Sequence, residues 1–533
     1  MAANDTMSSE KAARDSPVIS EKVDADVYVL DVDTAKLAAL GYKSEFKREF
    51  SLLETCAFSF SIMGIVASIS STLSFGLVNG GHVGFVWGWF IPCFFVCFFV
   101  APSMAEMASS MPTSAGLYYF SAKLAPEKHA PLASWITGAN LPHVAVVLIP
   151  YQDGYDQPRT GLSLTMITTA IAVSTDGKTV LSLGATYGIL VAILVSHGIV
   201  CSTTTKILAR LNLFYVVVNV GTTIAAIIAL LVASGDNKVS TKDAFTLFEN
   251  HSGWAANGWA FMLAFTAPMW TLTGYDSAAH ISEETSNAGR AAPIAILVGV
   301  GATASFGWLL LIATSFVVLS VDDLLTTTLP LPMGQVFLNV LGKSGMLAIW
   351  SFIIVVQYVT GAAQGVDASR VVFAFARDNA LPGSRWWKKM NRYAVPGYAV
   401  WFVMFWSAII GLLGFSVTAL TSLAGASVIG LYTSYAAPIF LRITSGRDKL
   451  EPGSFTLGRW AVPIGAVAVA WVSFVVVLLL FPPSKAVDAE SMNYAVVIVM
   501  SVFIFASVSW VVSARHWFHG PVRTVEESSD GSM

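Results

Sequence analysis

Ser59-Phe60-Ser61-Ile62-Met63-Gly64-Ile65-Val66-Ala67-Ser68-Ile69-Ser70-Ser71-Thr72 lies inside the first long apolar run of the chain and crowds small and hydroxyl residues around one glycine. Ala267-Pro268-Met269-Trp270-Thr271-Leu272-Thr273-Gly274-Tyr275-Asp276 repeats the feature in the sixth run. A helix needs about 20 apolar residues to cross a bilayer. Further runs of that kind start near Val86, Leu183, Leu211, Trp259, Pro293, Gly345, Pro396, Val417, Trp460 and Tyr494. With one more crossing expected between Ser134 and Thr175, the pattern predicts an all-α membrane protein of about twelve transmembrane helices.

Composition agrees. Of 533 residues, 55% are hydrophobic and 12% charged, against roughly 25% charged in an average soluble domain. The 30 basic and 33 acidic residues cannot clothe a chain of this length in a water-facing surface, so the lipid bilayer is a required partner. A net charge of -3 without a strongly basic segment excludes a nucleic-acid partner. Cys56, Cys93, Cys97 and Cys201 all sit in apolar runs and read as packing residues rather than as a disulfide framework or a metal site. The spans carry neither a His-Glu metal spacing nor a nucleophile constellation, which argues against an enzyme and against a cofactor.

Residues 1–50 are polar and lack an apolar segment behind a basic start, so no cleavable signal is expected. Only Lys178, Lys238, Lys242, Lys343 and Lys485 fall on the side opposite the N-terminus, with Arg159 unassigned. That asymmetry places both termini in the cytoplasm: a tail over 1–50, a membrane domain over 51–513 and a tail over 514–533. Asn250-His251-Ser252 forms a glycosylation sequon on the outer side. Trp87, Trp89, Trp386 and Trp387 fall at predicted span ends and read as interface anchors.

Paired helix breaks are a sequence pointer to a membrane binding site. A break near Gly64 to Ser68 would turn unpaired N–H groups toward a carboxylate. A break near Trp270 to Gly274 would leave carbonyls for an ammonium, and together they describe a site for a zwitterion. The competing reading is that these small residues only permit close helix packing. Trp270, inside the second break, could close over a substrate or stack on a cation.

Ionisable residues at span depth are costly and therefore candidates for function. Asp276 and His280 lie just beyond the sixth-run break, followed by Glu283 and Glu284; Glu106 ends the second span, and Asp367 with Arg370 ends the eighth. Glu106, Glu283, Glu284 and Arg370 suit either a salt-bridged gate or interfacial anchoring. Asp276 and Asp367 are deeper and suit either proton coupling or a structural hydrogen-bonding role.

Four strings now carry a resemblance: Phe58 to Gly64; Ala105-Glu106-Met107 through Met111-Pro112-Thr113-Ser114-Ala115-Gly116; Thr273 to Glu284; and Ala368-Ser369-Arg370 with Phe375-Ala376-Arg377-Asp378 and Leu381-Pro382. In these the chain resembles the amino acid–polyamine–organocation superfamily, in its fungal amino acid/choline permease branch. The resemblance implies a LeuT-like fold: two inverted five-helix repeats, about 51–233 and 259–443, and extra helices at about 458–481 and 493–513. It also implies substrate held at Gly64, Ala67, Ser68 and Ile69 on the carboxylate side, and at Trp270, Thr271, Thr273, Gly274 and Tyr275 on the amine side. Asp276, Glu106, Glu283, Asp367 and Arg370 become candidates for coupling or gating.

The implied function is secondary active transport of an amino acid or a related amine such as GABA, with protons as the coupling ion, at the plasma membrane. Choline or another quaternary amine is an alternative substrate, with Trp270 and Tyr275 as the aromatic candidates. A non-transporting nutrient sensor or a defective permease are the alternatives in other classes. The last arises because the third helix departs from the family. After Gly138 the chain reads Asn140-Leu141-Pro142-His143, a short apolar run, then Pro150-Tyr151-Gln152-Asp153-Gly154-Tyr155-Asp156-Gln157-Pro158-Arg159. Such a stretch cannot run through lipid as one helix, so residues 139–159 read either as a gene-structure error or as divergence that damages this helix. Two smaller departures are Val66-Ala67-Ser68, in place of a glycine-rich break, and Ala115, in place of a glycine.

Overall fold

The first crossing opens with its own stop and start signals. Ser51 caps Leu52–Met63 in a reciprocal box, its side chain accepting from the Glu54 N–H while the Glu54 carboxylate accepts from the Ser51 N–H. The helix ends at Gly64, where φ 43 and ψ 67 are left-handed, and Ile65–Val78 resumes at once. The computed structural model describes residues 32–138, 162–415, 417–488 and 492–525.

Among these residues, nine helices are long and apolar enough to cross a membrane, the first being Leu52–Val78 taken across its break. The others are Gly81–Ser110, Leu183–Cys201, Thr205–Ala233, Ala288–Val317, Pro332–Arg377, Ser422–Ile443, Gly458–Leu479 and Ala495–His516. The three remaining expected crossings are interrupted or short. The third is helical over 130–138 and again over Leu162–Ser174. Residues 139–159, read above as a disruption, lie outside the described residues. The sixth is divided into Asn257–Leu263, Thr266–Thr271 and Ser277–His280. The ninth, Gly397–Gly411, has 15 residues and is extended by the tight turn Leu412–Phe415. This is the all-α membrane architecture expected.

Packing follows from small residues and from aromatic wedges. The first half-helix lies against Ala288–Val317, and Pro332–Arg377 lies against both Thr205–Ala233 and Leu162–Ser174. Pro92 removes a backbone donor inside the second crossing, and the helix widens into a π turn over Val96–Val100. The Phe95 ring beside that turn stacks on Trp471, centroids 4.2 Å apart.

Trp89 departs from expectation. It is 1% exposed, and its indole N–H donates 3.0 Å to the Ala304 carbonyl, so it is a core wedge between the second and seventh crossings. Trp87 and Trp386 remain exposed, as interface residues are. Alternation within one helical turn decides the matter: Trp87 and Trp89 are two positions apart and therefore face opposite sides. Trp89→Ala should cost about 3 kcal/mol or more, whereas Trp386→Ala should stay within about 0.5 kcal/mol; thermal unfolding of the purified protein in detergent would separate the two.

Candidate functional site

The two helix breaks lie against each other. Gly64 closes the first at positive φ, and a side chain there would strike the Thr360 hydroxyl of the eighth crossing. That hydroxyl donates 3.0 Å to the Ser61 carbonyl, which the break has deprived of a helical partner. Gly274 takes φ 82 in the second break, and a Cβ there would stand 2.5 Å from Ile62 Cγ2. Glycine is thus required at both positions for conformation and for space.

The breaks are narrower than the sequence suggested. In the first, only Gly64 leaves helical geometry, while Val66, Ala67 and Ser68 are already in the second half-helix. The Ser68 hydroxyl donates 2.8 Å back to the Met63 carbonyl, and its N–H donates 2.8 Å to the Gly64 carbonyl. The N–H groups of Ile65, Val66 and Ala67 therefore head the half-helix. Ile69 lies one turn further on, buried.

In the sixth crossing Trp270 and Thr271 complete the preceding half-helix, and the non-helical backbone runs from Leu272 to Tyr275. Residues of the tenth crossing hold it there. The Tyr432 hydroxyl donates 2.6 Å to the Leu272 carbonyl. The Tyr435 hydroxyl accepts from the Gly274 N–H at 3.1 Å and donates to Asp276 Oδ1 at 2.6 Å. Thr273 donates 2.8 Å to the Trp270 carbonyl. The side chains of Ala67, Ser68, Ile69, Trp270, Thr271, Thr273, Tyr275 and Asp276 are all buried.

Glu283 and Glu284 form a second centre with the eighth crossing. Arg370, 0% exposed, meets Glu284 at 2.7 and 3.2 Å, and Thr205 donates 2.7 Å to the same carboxylate. Arg377 grips Glu283 through two bonds of 2.9 and 3.0 Å. Thr113 and the Ser114 N–H complete that carboxylate at 3.1 and 3.0 Å. Glu106 stands apart, paired with Arg442 at 3.3 Å and accepting from the Leu457 N–H at 3.0 Å. Asp367 is on the eighth crossing with a buried Oδ1 that has no partner among the described residues.

The sequence reading missed Arg377, Tyr432 and Tyr435 as site residues, which come from distant crossings, and it read residues 1–50 as an N-terminal tail. From residue 32 that segment is docked over the ion pairs. Phe50 bridges Thr285 as a parallel strand pair would, and Arg48 donates to the Ser282 and Thr285 carbonyls at 3.4 and 3.0 Å. Tyr42 lies 3.9 Å under the Arg377 guanidinium and donates 3.0 Å to Asp378. The opposite terminus joins here, with the Val522 N–H donating 3.0 Å to Asp378. Lys36 donates 2.9 Å to the Ser109 carbonyl, and burial pushes its ammonium below its usual value against the pull of Asp33 and Glu451. Burial likewise pushes the Glu45 carboxyl up, with Arg377 opposing.

The sequon does not offer a free amide: Asn250 Nδ2 donates to both the Trp254 carbonyl and Asn257 Oδ1.

The family described as amino acid permease matches residues 50–503. The chain is 35% identical to an uncharacterized amino-acid permease of Schizosaccharomyces pombe over 504 residues, covering 93% of this chain and 90% of the relative. It is 34% identical to an amino-acid permease of Arabidopsis thaliana, covering 94% and 98%. To the GABA-specific permease of Saccharomyces cerevisiae it is 33% identical, covering 93% and 86%.

Removing Arg370 would leave Glu284 charged and unpaired in the interior. Arg370→Ala should destabilise by about 3–5 kcal/mol, and adding Glu284→Ala should recover part of the loss. Additive losses in thermal unfolding would show that the pair is not coupled.

Proposed function

We propose that this chain, which belongs to the amino acid permease family, is a secondary transporter that takes up an amino acid or a related amine such as GABA by alternating access, coupled to protons. The observation that carries this is the opposed pair of breaks at Gly64 and at Leu272–Tyr275. A substrate carboxylate suits the N–H groups of Ile65, Val66 and Ala67, at the positive end of a half-helix. A substrate ammonium suits the carbonyl end of Thr266–Thr271. The name of the yeast GABA relative favours a short zwitterion.

Choline is less well supported. Tyr275, Tyr432 and Tyr435 are clustered, with centroids 5.0 and 5.5 Å apart. The hydroxyls of Tyr432 and Tyr435 are nevertheless tied to the sixth-crossing backbone and Asp276, so these rings hold a break rather than present faces to a cation.

Glu283–Arg377 and Glu284–Arg370 serve in this reading as a closed gate on the cytoplasmic side, with the docked N-terminal segment behind it. The helix order fits two inverted repeats, each with its first helix broken, followed by the two helices Ala461–Leu479 and Ala495–Val512. Both termini are then cytoplasmic and the membrane is the plasma membrane. Asp276 and Asp367 are the candidates for proton coupling.

Expression in permease-deficient yeast should give uptake of a labelled zwitterion, GABA first, that a protonophore suppresses. Gly274→Val, which forces a side chain onto Ile62, should reduce it by at least about tenfold. Protonophore-resistant uptake would overturn the coupling. Preferred uptake of choline would overturn the substrate, and substrate binding without accumulation would favour a sensor.

A further inference from the structure

His280 sits where the break and the ion pairs meet. Its Nδ1 lies 3.1 Å from the Ser114 carbonyl. A carbonyl can only accept, so Nδ1 carries a hydrogen whatever the charge of the ring. Nε2 lies 3.4 Å from Asp276 Oδ2 without closing a hydrogen bond to it, and both side chains are almost wholly buried. Without a proton between them, two lone pairs would oppose each other in a buried site, which is unfavourable.

We propose that Asp276 and His280 share a single exchangeable proton at this contact, and that it couples the sixth-helix break to the loop that holds Glu283. This deepens the proton-coupled reading above and rests on it. The proton is taken from one aqueous side and released to the other, with no other bond made or broken.

The contact continues in both directions. Toward the break, Asp276 Oδ1 accepts from Tyr435, whose oxygen accepts from the Gly274 N–H. Toward the ion pairs, Ser114 uses its carbonyl for His280 and its N–H for Glu283 Oε1. The loop is shaped for the ring: Gly116 has φ 52, and a Cβ there would be 2.5 Å from His280 Cε1. This, rather than the neighbouring Ala115, is the position of the loop that needs a glycine.

A separation of 3.4 Å is longer than a closed hydrogen bond. Loading the proton draws Nε2 toward Asp276 and pulls on Ser114; releasing it lets the ring retreat. The charged groups around the pair are Asp367 from the eighth crossing, which interacts electrostatically with both members, and Arg370 beside it, itself bound to Glu284. Tyr435 faces Asp276 from the tenth crossing and Tyr275 from its own. The loop between the second and third crossings presents the neutral Ser114 carbonyl.

The test uses the full-length protein in lipid vesicles with labelled GABA and a mixture of labelled L-amino acids. Counterflow, which needs no net proton movement, is compared with accumulation driven by an imposed pH gradient. Wild type should do both; if the gradient drives no accumulation, the proton-coupled reading fails and this inference with it. His280→Gln should keep counterflow within about threefold of wild type and lose at least about tenfold in gradient-driven accumulation. Accumulation within about twofold of wild type, in a wild type that is coupled, would overturn the shared proton alone. Tyr435→Phe gives a second readout that does not depend on His280→Gln folding. Tyr435 is a donor to Asp276 Oδ1, so removing its hydroxyl should displace the pH midpoint of uptake from that of wild type. An unmoved midpoint would overturn the proposal.

Discussion

Everything in this site depends on how an interrupted helix satisfies its backbone where water is scarce. A free N–H or carbonyl at that depth costs several kcal/mol. The protein meets the constraint with side chains from other crossings: Thr360 for the Ser61 carbonyl, Tyr432 for that of Leu272, Tyr435 for the Gly274 N–H. Each of these groups belongs to the eighth or the tenth crossing. The breaks are therefore joint products of four helices, and a movement of the eighth or tenth against the others alters the partners of the first and sixth. That is a physical route by which rocking of helices would change a binding site.

Much of this was legible. The apolar runs gave the helical membrane class, and the two glycines in hydroxyl-rich surroundings gave the place of both breaks, because glycine at φ above zero is a local requirement. The extent of the breaks was not legible. Val66, Ala67, Trp270 and Thr271 keep helical backbone, and how far a break extends is set by tertiary packing that local sequence does not encode. Trp89 was misread because span ends were inferred from hydropathy, which does not say which face of a helix meets protein.

The acidic pair was visible and its cations only in part. Glu283 and Glu284 are adjacent, but the tight turn Ser282–Glu284 directs them to arginines seven residues apart on one helix. Seven residues is two turns, about 10 Å along the axis, so Arg370 and Arg377 share a face. That spacing was a usable signal for Arg377. The docked N-terminal segment left a weaker one: Tyr42, Phe46 and Phe50 recur at every fourth position in a polar stretch, and all three are buried.

Burying two glutamate–arginine pairs is weak support for stability, since desolvation offsets most of the attraction. It suits the gate proposed above, which would have to open. Separating either pair while dry would strand charge, so in the proposed gate water would have to reach each carboxylate as its arginine leaves. The surrounding contacts then decide how readily water enters. Arg48 on the Ser282 and Thr285 carbonyls, Tyr42 beneath Arg377, and Asp378 joining Tyr42, Tyr118 and the Val522 N–H all lie beside the two pairs. Segments near both termini therefore bear on the same closure from outside, while the Ser114 loop bears on it from the side of the helix break. A gate of the kind proposed, held by two ion pairs and flanked by these contacts, would respond to either side without needing the bundle itself to be unstable.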